Sequence, residues 1–173
     1  MQDQTASGTG KKVQSRFLEI SDVGDRVQFS YDHGITEKIG LRLREKEVHW
    51  MVKSRLGRLG TVSPGVSPHS FLMANEVLFS IWIKNVLIEL DQNLNSIANR
   101  PLTHRMVEQL LGITARERLR WTKDGRLPRS GHASFQKGRT ILIATHPVDK
   151  ISDLLARPEI VAAWREDDKK QEG

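Results

Sequence analysis

Arginine and lysine crowd one window of this chain. Between residues 100 and 139 stand ten basic side chains against three acidic ones, a net of +7. Residues 1–99 net +1 and residues 140–173 net −2, so this window accounts for the whole of the chain's +6. Guanidinium groups donate paired hydrogen bonds to phosphate oxygens or to O6 and N7 of guanine, and each neutralised phosphate releases condensed counterions. Polyanion binding is therefore the chemistry these residues suit. Thr114, Ala115, Arg116, Glu117, Arg118 and Arg120 form one compact group in the window. Arg116 and Arg120 are four apart, which puts them on one face of a helix. These six are the candidates for reading base edges. Arg105, Lys123, Arg126, Arg129, Ser130, Gln136, Lys137 and Arg139 are spread around them. They suit phosphate contacts, which position a duplex without specifying its sequence.

Other chemistry has little to work with. There is no cysteine, which excludes disulfides, thiolate metal sites and thiol nucleophiles and fits a reducing cytoplasm. His33, His49, His69, His104, His132 and His146 show no metal-binding spacing. No phosphate-binding glycine loop or serine-nucleophile motif occurs. Asp25, Asp32, His33 and Glu37 lie near a turn and read as solvated loop residues rather than a nuclease cluster. Trp50, Trp82 and Trp164 fall on apolar helical faces and read as core or interface. No catalytic residue, metal or cofactor is expected, and the chain reads as a binding protein rather than an enzyme.

The elements that must position the basic group follow from capping and periodicity. Thr103 can cap a short helix whose inner face is Met106, Val107, Leu110 and Leu111, and Gly112 permits the left-handed residue that ends it. Ile113 plugs the corner. Thr114 caps a second helix, with Leu119 facing inward, Trp121 and Thr122 near its end and Gly125 stopping it. Two short helices joined by a glycine turn make a helix-turn-helix, whose second helix presents its first residues to the major groove. Short strands over 133–135 and 140–144, around a turn at 136–139, predict a basic hairpin wing with Lys137 and Arg139 at its tip. A helix over 148–156 follows, then a short helix from Pro158 carrying Ile160, Val161 and Trp164, and a charged tail that frays.

The first hundred residues divide differently. Residues 1–13 read as a flexible arm carrying Lys11 and Lys12, without the order of a secretory signal. A strand over 26–32 alternates Val27, Phe29 and Tyr31 with polar residues, and Asp32-His33-Gly34 signals a turn. Ile39, Leu41 and Leu43 alternate again and predict a second strand, followed by a helix over 45–59. Residues 14–60 thus form a small α+β region, and 61–69, within a Pro- and Gly-rich stretch, form a linker. One long helix over 70–99 is expected next, stopped by Pro101. Its charges make it a buried helix rather than a membrane span. It is so apolar that Phe71, Val77, Leu78, Ile81, Trp82 and Val86 are candidates for a dimer interface, with an internal core as the other possibility.

The stretch Leu111-Gly112-Ile113-Thr114, then Leu119-Arg120-Trp121, then Gly125, Leu127 and Pro128 resembles the excisionase and MerR-type winged helix-turn-helix superfamily. The resemblance covers about residues 102–156. It implies a DNA-binding winged helix over 100–157, with residues 158–173 as a terminal helix and tail. Such modules serve transcriptional regulators, excisionases and plasmid maintenance proteins. This wing is longer than in minimal excisionases, and the coiled coil and metal-sensing cysteines of the regulators are missing. The expected fold class is mainly α with small β elements (α+β). The expected function is sequence-specific binding of double-stranded DNA by a bacterial, plasmid or phage regulator that is a cytoplasmic homodimer. The alternative is an architectural factor or replication adaptor that holds a protein partner through residues 14–99. No membrane is involved in either.

Overall fold

Val27 and Phe29 are fully buried in a strand where Gln28 is half-exposed, the alternation of a sheet with one covered face. The computed structural model describes residues 14–137 and 139–172, and of 135–137, 139–141 and 172 the backbone alone. The arm expected over 1–13 lies outside the described residues. The chain is α+β. In order it contains β1 (Glu19–Val23), β2 (Arg26–Ser30), α1 (Asp32–Glu37), α2 (Ile39–Arg42), α3 (Glu45–Leu56), β3 (Ser63–Pro64), β4 (Ser70–Ala74), a 3-10 turn (Asn75–Phe79) and α4 (Ile83–Asn99). Then follow α5 (His104–Leu111), α6 (Ala115–Lys123), β5 (Gly131–Lys137), β6 (Arg139–Thr145), α7 (Val148–Leu155) and α8 (Pro158–Glu172). Among the described residues no helix is long and apolar enough to cross a membrane. The chain divides into two compact units, one of residues 14–34 and 49–93, the other of residues 35–48 and 94–172.

The first unit is built on an antiparallel sheet of order β1-β2-β4-β3. Phe29 pairs with Phe71 and Val27 with Met73, and all four are buried. His49 of α3 is tied to this sheet: its Nδ1 lies 2.8 Å from the Tyr31 hydroxyl and its ring 4.9 Å from that of Phe71. Asp32 is not a plain solvated residue. It accepts from Ser30 Oγ at 3.0 Å, Ser67 Oγ at 2.7 Å and His69 Nδ1 at 2.7 Å, fastening the end of β2 to the turn before β4. Burial pushes its carboxyl up, but these donors together hold it below the usual range.

Two expectations fail in this unit for one physical reason. The long helix over 70–99 is a strand, a 3-10 turn and a shorter helix, because Phe71 and Met73 find the covered face of β2 and pairing overrides local propensity. The expected linker carries the return strand β3, and the Gly65 N–H donates to the Ser70 carbonyl at 3.0 Å. A Cβ on Gly65 would fall 2.1 Å from Ser70 Oγ, so glycine is needed there. The expected dimer set is dispersed accordingly. Phe71, Val77 and Val86 belong to the chain's own core, Leu78 is half-buried, and Ile81 and Trp82 are exposed. Trp50, expected at a core or interface, is also exposed. The remaining helix, α4, is ordinarily amphipathic: Ile83, Val86, Leu87, Leu90, Leu94 and Ile97 recur at helical spacing and are buried.

In the second unit the strand expected over 39–43 is instead the short helix α2, with the Leu43 N–H donating to the Ile39 carbonyl at 3.0 Å. Ile39, Gly40 and Leu41 are all buried, so there is no open face for a strand to present. A Cβ on Gly40 would sit 2.0 Å from the Ala98 carbonyl oxygen. Buried Arg44 donates to the carbonyls of Gly40, Arg100 and Pro101 at 3.1, 3.2 and 2.9 Å, which satisfies the backbone where α4 ends. The core joins α5, α6, α7 and α8 through Leu102, Val107, Ile113, Trp121, Leu127, Ile151, Leu154 and Val161. Residues 165–172, expected as a frayed tail, continue α8.

The hairpin β5–β6 runs further than expected, with Gly131 paired to Thr145 and Lys137 to Arg139. Leu102 and His146 exchange backbone hydrogen bonds of 2.8 and 3.0 Å, joining the entry of α5 to the exit of the hairpin. Buried His146 donates from Nδ1 to the Pro128 carbonyl at 2.7 Å, while its Nε2 is enclosed with no partner. A proton on Nε2 would be a buried donor without an acceptor, so burial holds the imidazole below its ordinary pKa. The unfolded chain therefore takes up this proton first, and stability present at neutral pH is lost as pH falls below about 6.5. Urea unfolding between about pH 7.5 and 5 is expected to show that decline, and His146→Asn, whose amide still donates to Pro128, is expected to flatten it.

Candidate nucleic-acid interface

The pair α5–α6 is held by its own sequence. Thr103 Oγ1 accepts from the Met106 N–H at 3.4 Å, and Gly112 closes α5 in the left-handed region at φ 59°. Thr114 and Glu117 form a reciprocal capping box. Thr114 Oγ1 accepts from the Glu117 N–H at 3.1 Å, and Glu117 Oε2 accepts from the Thr114 N–H at 2.7 Å. Trp121, fully buried, anchors α6 to the core, with its ring edge-on to Trp164 at 5.1 Å.

That anchor sets the phase of α6 and corrects two assignments. Arg118, expected among the base readers, is only 7% exposed and donates from Nε to Glu108 Oε1 at 2.7 Å. Leu119, expected inside, is 59% exposed. Residues three apart share a helix face and residues two apart do not, so burying Trp121 takes Arg118 in and turns Leu119 out. The outward stripe of α6 is Ala115, Arg116, Leu119 and Lys123.

The other expected site residues separate into those facing solvent and those tied into the protein. Arg105 on α5 and Arg129 before β5 are exposed. Ser130 sits at the base of the hairpin, its Oγ 3.3 Å from Thr145 Oγ1. Gln136, Lys137 and Arg139 have backbone places in β5 and β6, but their side chains lie outside the described residues. Glu117 is half-buried and receives Arg165 Nε at 2.7 Å, a bond that holds its carboxyl below the usual range. Arg126, expected on phosphate, is committed to the protein instead. It donates to Asp124 Oδ2 at 2.9 Å and Asp168 Oδ1 at 2.7 Å, and its guanidinium lies 5.7 Å over the Trp121 ring. Arg120 Nη1 is 3.0 Å from Asp168 Oδ2, the oxygen that also accepts from Trp121 Nε1 at 2.9 Å.

Sequence reading missed Glu108, Arg165 and Asp168. The signal was present in α8: Val161, Trp164, Arg165 and Asp168 are spaced by three and four and continue its inner face. Among the described residues no group of three or more His, Asp or Glu could hold a metal ion. No protein-family model, curated protein or solved structure matches the chain.

Arg118→Ala is expected to act on stability rather than on any ligand. Breaking a buried pair costs about 3–5 kcal/mol, and the partial exposure of Glu108 puts this case at about 2–3. Urea unfolding of Arg118→Ala beside Lys123→Ala, a substitution at an exposed position of the same helix, checks it, the latter staying within about 0.5 kcal/mol of the wild type.

Proposed function

We propose that residues 100–157 are a winged helix-turn-helix of the excisionase and MerR type that binds duplex DNA by sequence. On this reading the protein is a bacterial, plasmid or phage transcriptional regulator, a binding protein rather than an enzyme, working in the cytoplasm on nucleoid or plasmid DNA. The observation that carries it is the outward stripe of α6. A capped helix, locked in phase by Trp121 and Arg118, offers a guanidinium, a methyl, an isobutyl group and an ammonium along one line. Arg116 is suited to the O6 and N7 acceptors of guanine, Leu119 to the methyl of thymine and Lys123 to phosphate. Arg105 and Arg129 add positive charge for the duplex backbone. An excisionase-like architectural role uses the same contacts.

Selection of bound fragments from a randomised duplex pool supplies the site for testing. Arg116→Ala is expected to weaken binding to that site by about 5- to 150-fold, or about 1–3 kcal/mol, and to relax preference at one position. Lys123→Ala is expected to weaken every sequence alike and to lower the salt slope by about one unit. An equal loss on random DNA for Arg116→Ala removes the base-reading role, and no enrichment from the pool removes the function.

A second reading, in which residues 14–99 hold a protein partner or a second copy, draws support from the loop before α4. Phe79, Ile81 and Trp82 are 85%, 82% and 61% exposed within four residues, and exposed apolar clusters mark interaction sites. A homodimer through this loop predicts a dimeric mass in light scattering for the free protein and a monomeric mass for Ile81→Ser/Trp82→Ser. A monomeric wild type retires the homodimer.

A further inference from the structure

Asp168 lies on α8, outside the helix pair and hairpin, yet its carboxylate receives two donors from α6 and one from the loop between α6 and β5. Oδ2 accepts from Trp121 Nε1 at 2.9 Å and pairs with Arg120 Nη1 at 3.0 Å, while Oδ1 accepts from Arg126 Nη2 at 2.7 Å. The carboxylate is itself buried, and Arg126, through its hydrogen bond, holds its pKa below the usual range. The indole that fixes Oδ2 is fully buried, so the carboxylate is a rigid post rather than a mobile surface acid. Two arginines with long, flexible stems are brought to it. Arg120 belongs to α6, one turn beyond Arg116 and next to Leu119.

We propose that Asp168 is a specificity-determining positioning residue. It holds the guanidinium of Arg120 in one orientation beside the outward stripe of α6, and it offsets the charge of Arg120 and Arg126 so that neither is drawn to the nearest phosphate. The inference rests on reading α6 as the base-contacting helix. Its logic is general. A long cation near DNA reaches backbone phosphate at any sequence, which raises affinity everywhere and discriminates nothing. A guanidinium held by a fixed carboxylate loses little further freedom when it meets a base edge, and its pairing with phosphate is opposed by the acid beside it. Arg165, Glu117 and Lys169 line the same hollow between α6 and α8 and complete a mixed, not purely basic, surface there. α8 is thereby part of the recognition surface.

Asp168→Asn tests this, because its side-chain oxygen still accepts from Trp121 while the charge is gone. Binding is measured by fluorescence anisotropy on the best duplex selected by the wild type and on poly(dI-dC), across a salt series. The expected result is tighter binding to poly(dI-dC), by about five- to tenfold near 0.1 M salt, with a salt slope steeper by about one unit. The ratio of selected to unselected affinity is expected to fall about tenfold. In an Arg120→Ala background, Asp168→Asn is expected to leave most of that ratio unchanged, since the two substitutions act through one pair. A purely structural Asp168 would lower the unfolding midpoint and leave ratio and slope as they were. That outcome, with Arg116→Ala still reducing discrimination, overturns this inference and leaves the DNA-binding reading standing. If the wild type enriches no duplex from the pool, the DNA-binding reading falls and this inference with it.

Discussion

The buried indole of Trp121 is the interaction on which the second unit depends. Its ring fills the centre of a core shared by four helices, and its one polar atom must find an acceptor or pay the desolvation of an orphaned donor. Asp168 supplies that acceptor, from the part of α8 where its composition turns charged. From this anchor the phase of α6 follows, and with it the inward turn of Arg118 and the outward turn of Leu119. The contact between Glu117 and Arg165 then fixes the start of α6 against the same helix, and Arg165 Nη2 donates to the Gly112 carbonyl at 2.8 Å across the interhelix turn. Helix, turn and cap share one set of bonds with α8.

Electrostatics changes meaning once those bonds are counted. The +7 of residues 100–139 is an upper bound on what the surface offers a polyanion. Arg118 is matched by Glu108, and Arg120 and Arg126 by Asp168 and Asp124. Among the described side chains, those facing outward are led by Arg116 and Lys123 on α6, with Arg105 on α5 and Arg129 before β5. Arginines held in shape by carboxylates suit orientation, and positive charge at the surface suits attraction. The C-terminal residues, net acidic in sequence, supply part of the pairing rather than a separate tail.

The first unit rests on a different constraint. Val27, Phe29, Phe71 and Met73 cover one face of a small sheet, and Asp32 with Ser30, Ser67 and His69 locks the turn between β3 and β4. Drawing Phe71 into that sheet shortens the following helix and leaves Phe79, Ile81 and Trp82 in a solvent-facing loop. The apolar residues of this stretch thus serve two purposes, an internal core and an exposed cluster, which no single helix face could combine.

Sequence alone determined what depends on neighbours a few residues apart. The caps at Thr103 and Thr114, the left-handed Gly112, the alternation of Val27 and Phe29 and the existence of a hairpin after Pro128 are short-range consequences of hydrogen bonding, φ preference and side-chain period. The α+β class follows from them. Tertiary structure decided whatever needs a partner distant in the chain. Phe71 is a strand residue only because Phe29 stands beside it, 42 positions earlier. Arg118 is buried only because Glu108 meets it and Trp121 has rotated the helix. Asp168 reaches Arg120 and Arg126 from a segment that reads as fraying, adding to the Asp124 that already pairs with Arg126. Burial and ion pairing are long-range terms of a few kcal/mol each, larger than the propensities that favoured the alternatives, and they had the last word on which basic residues face outward.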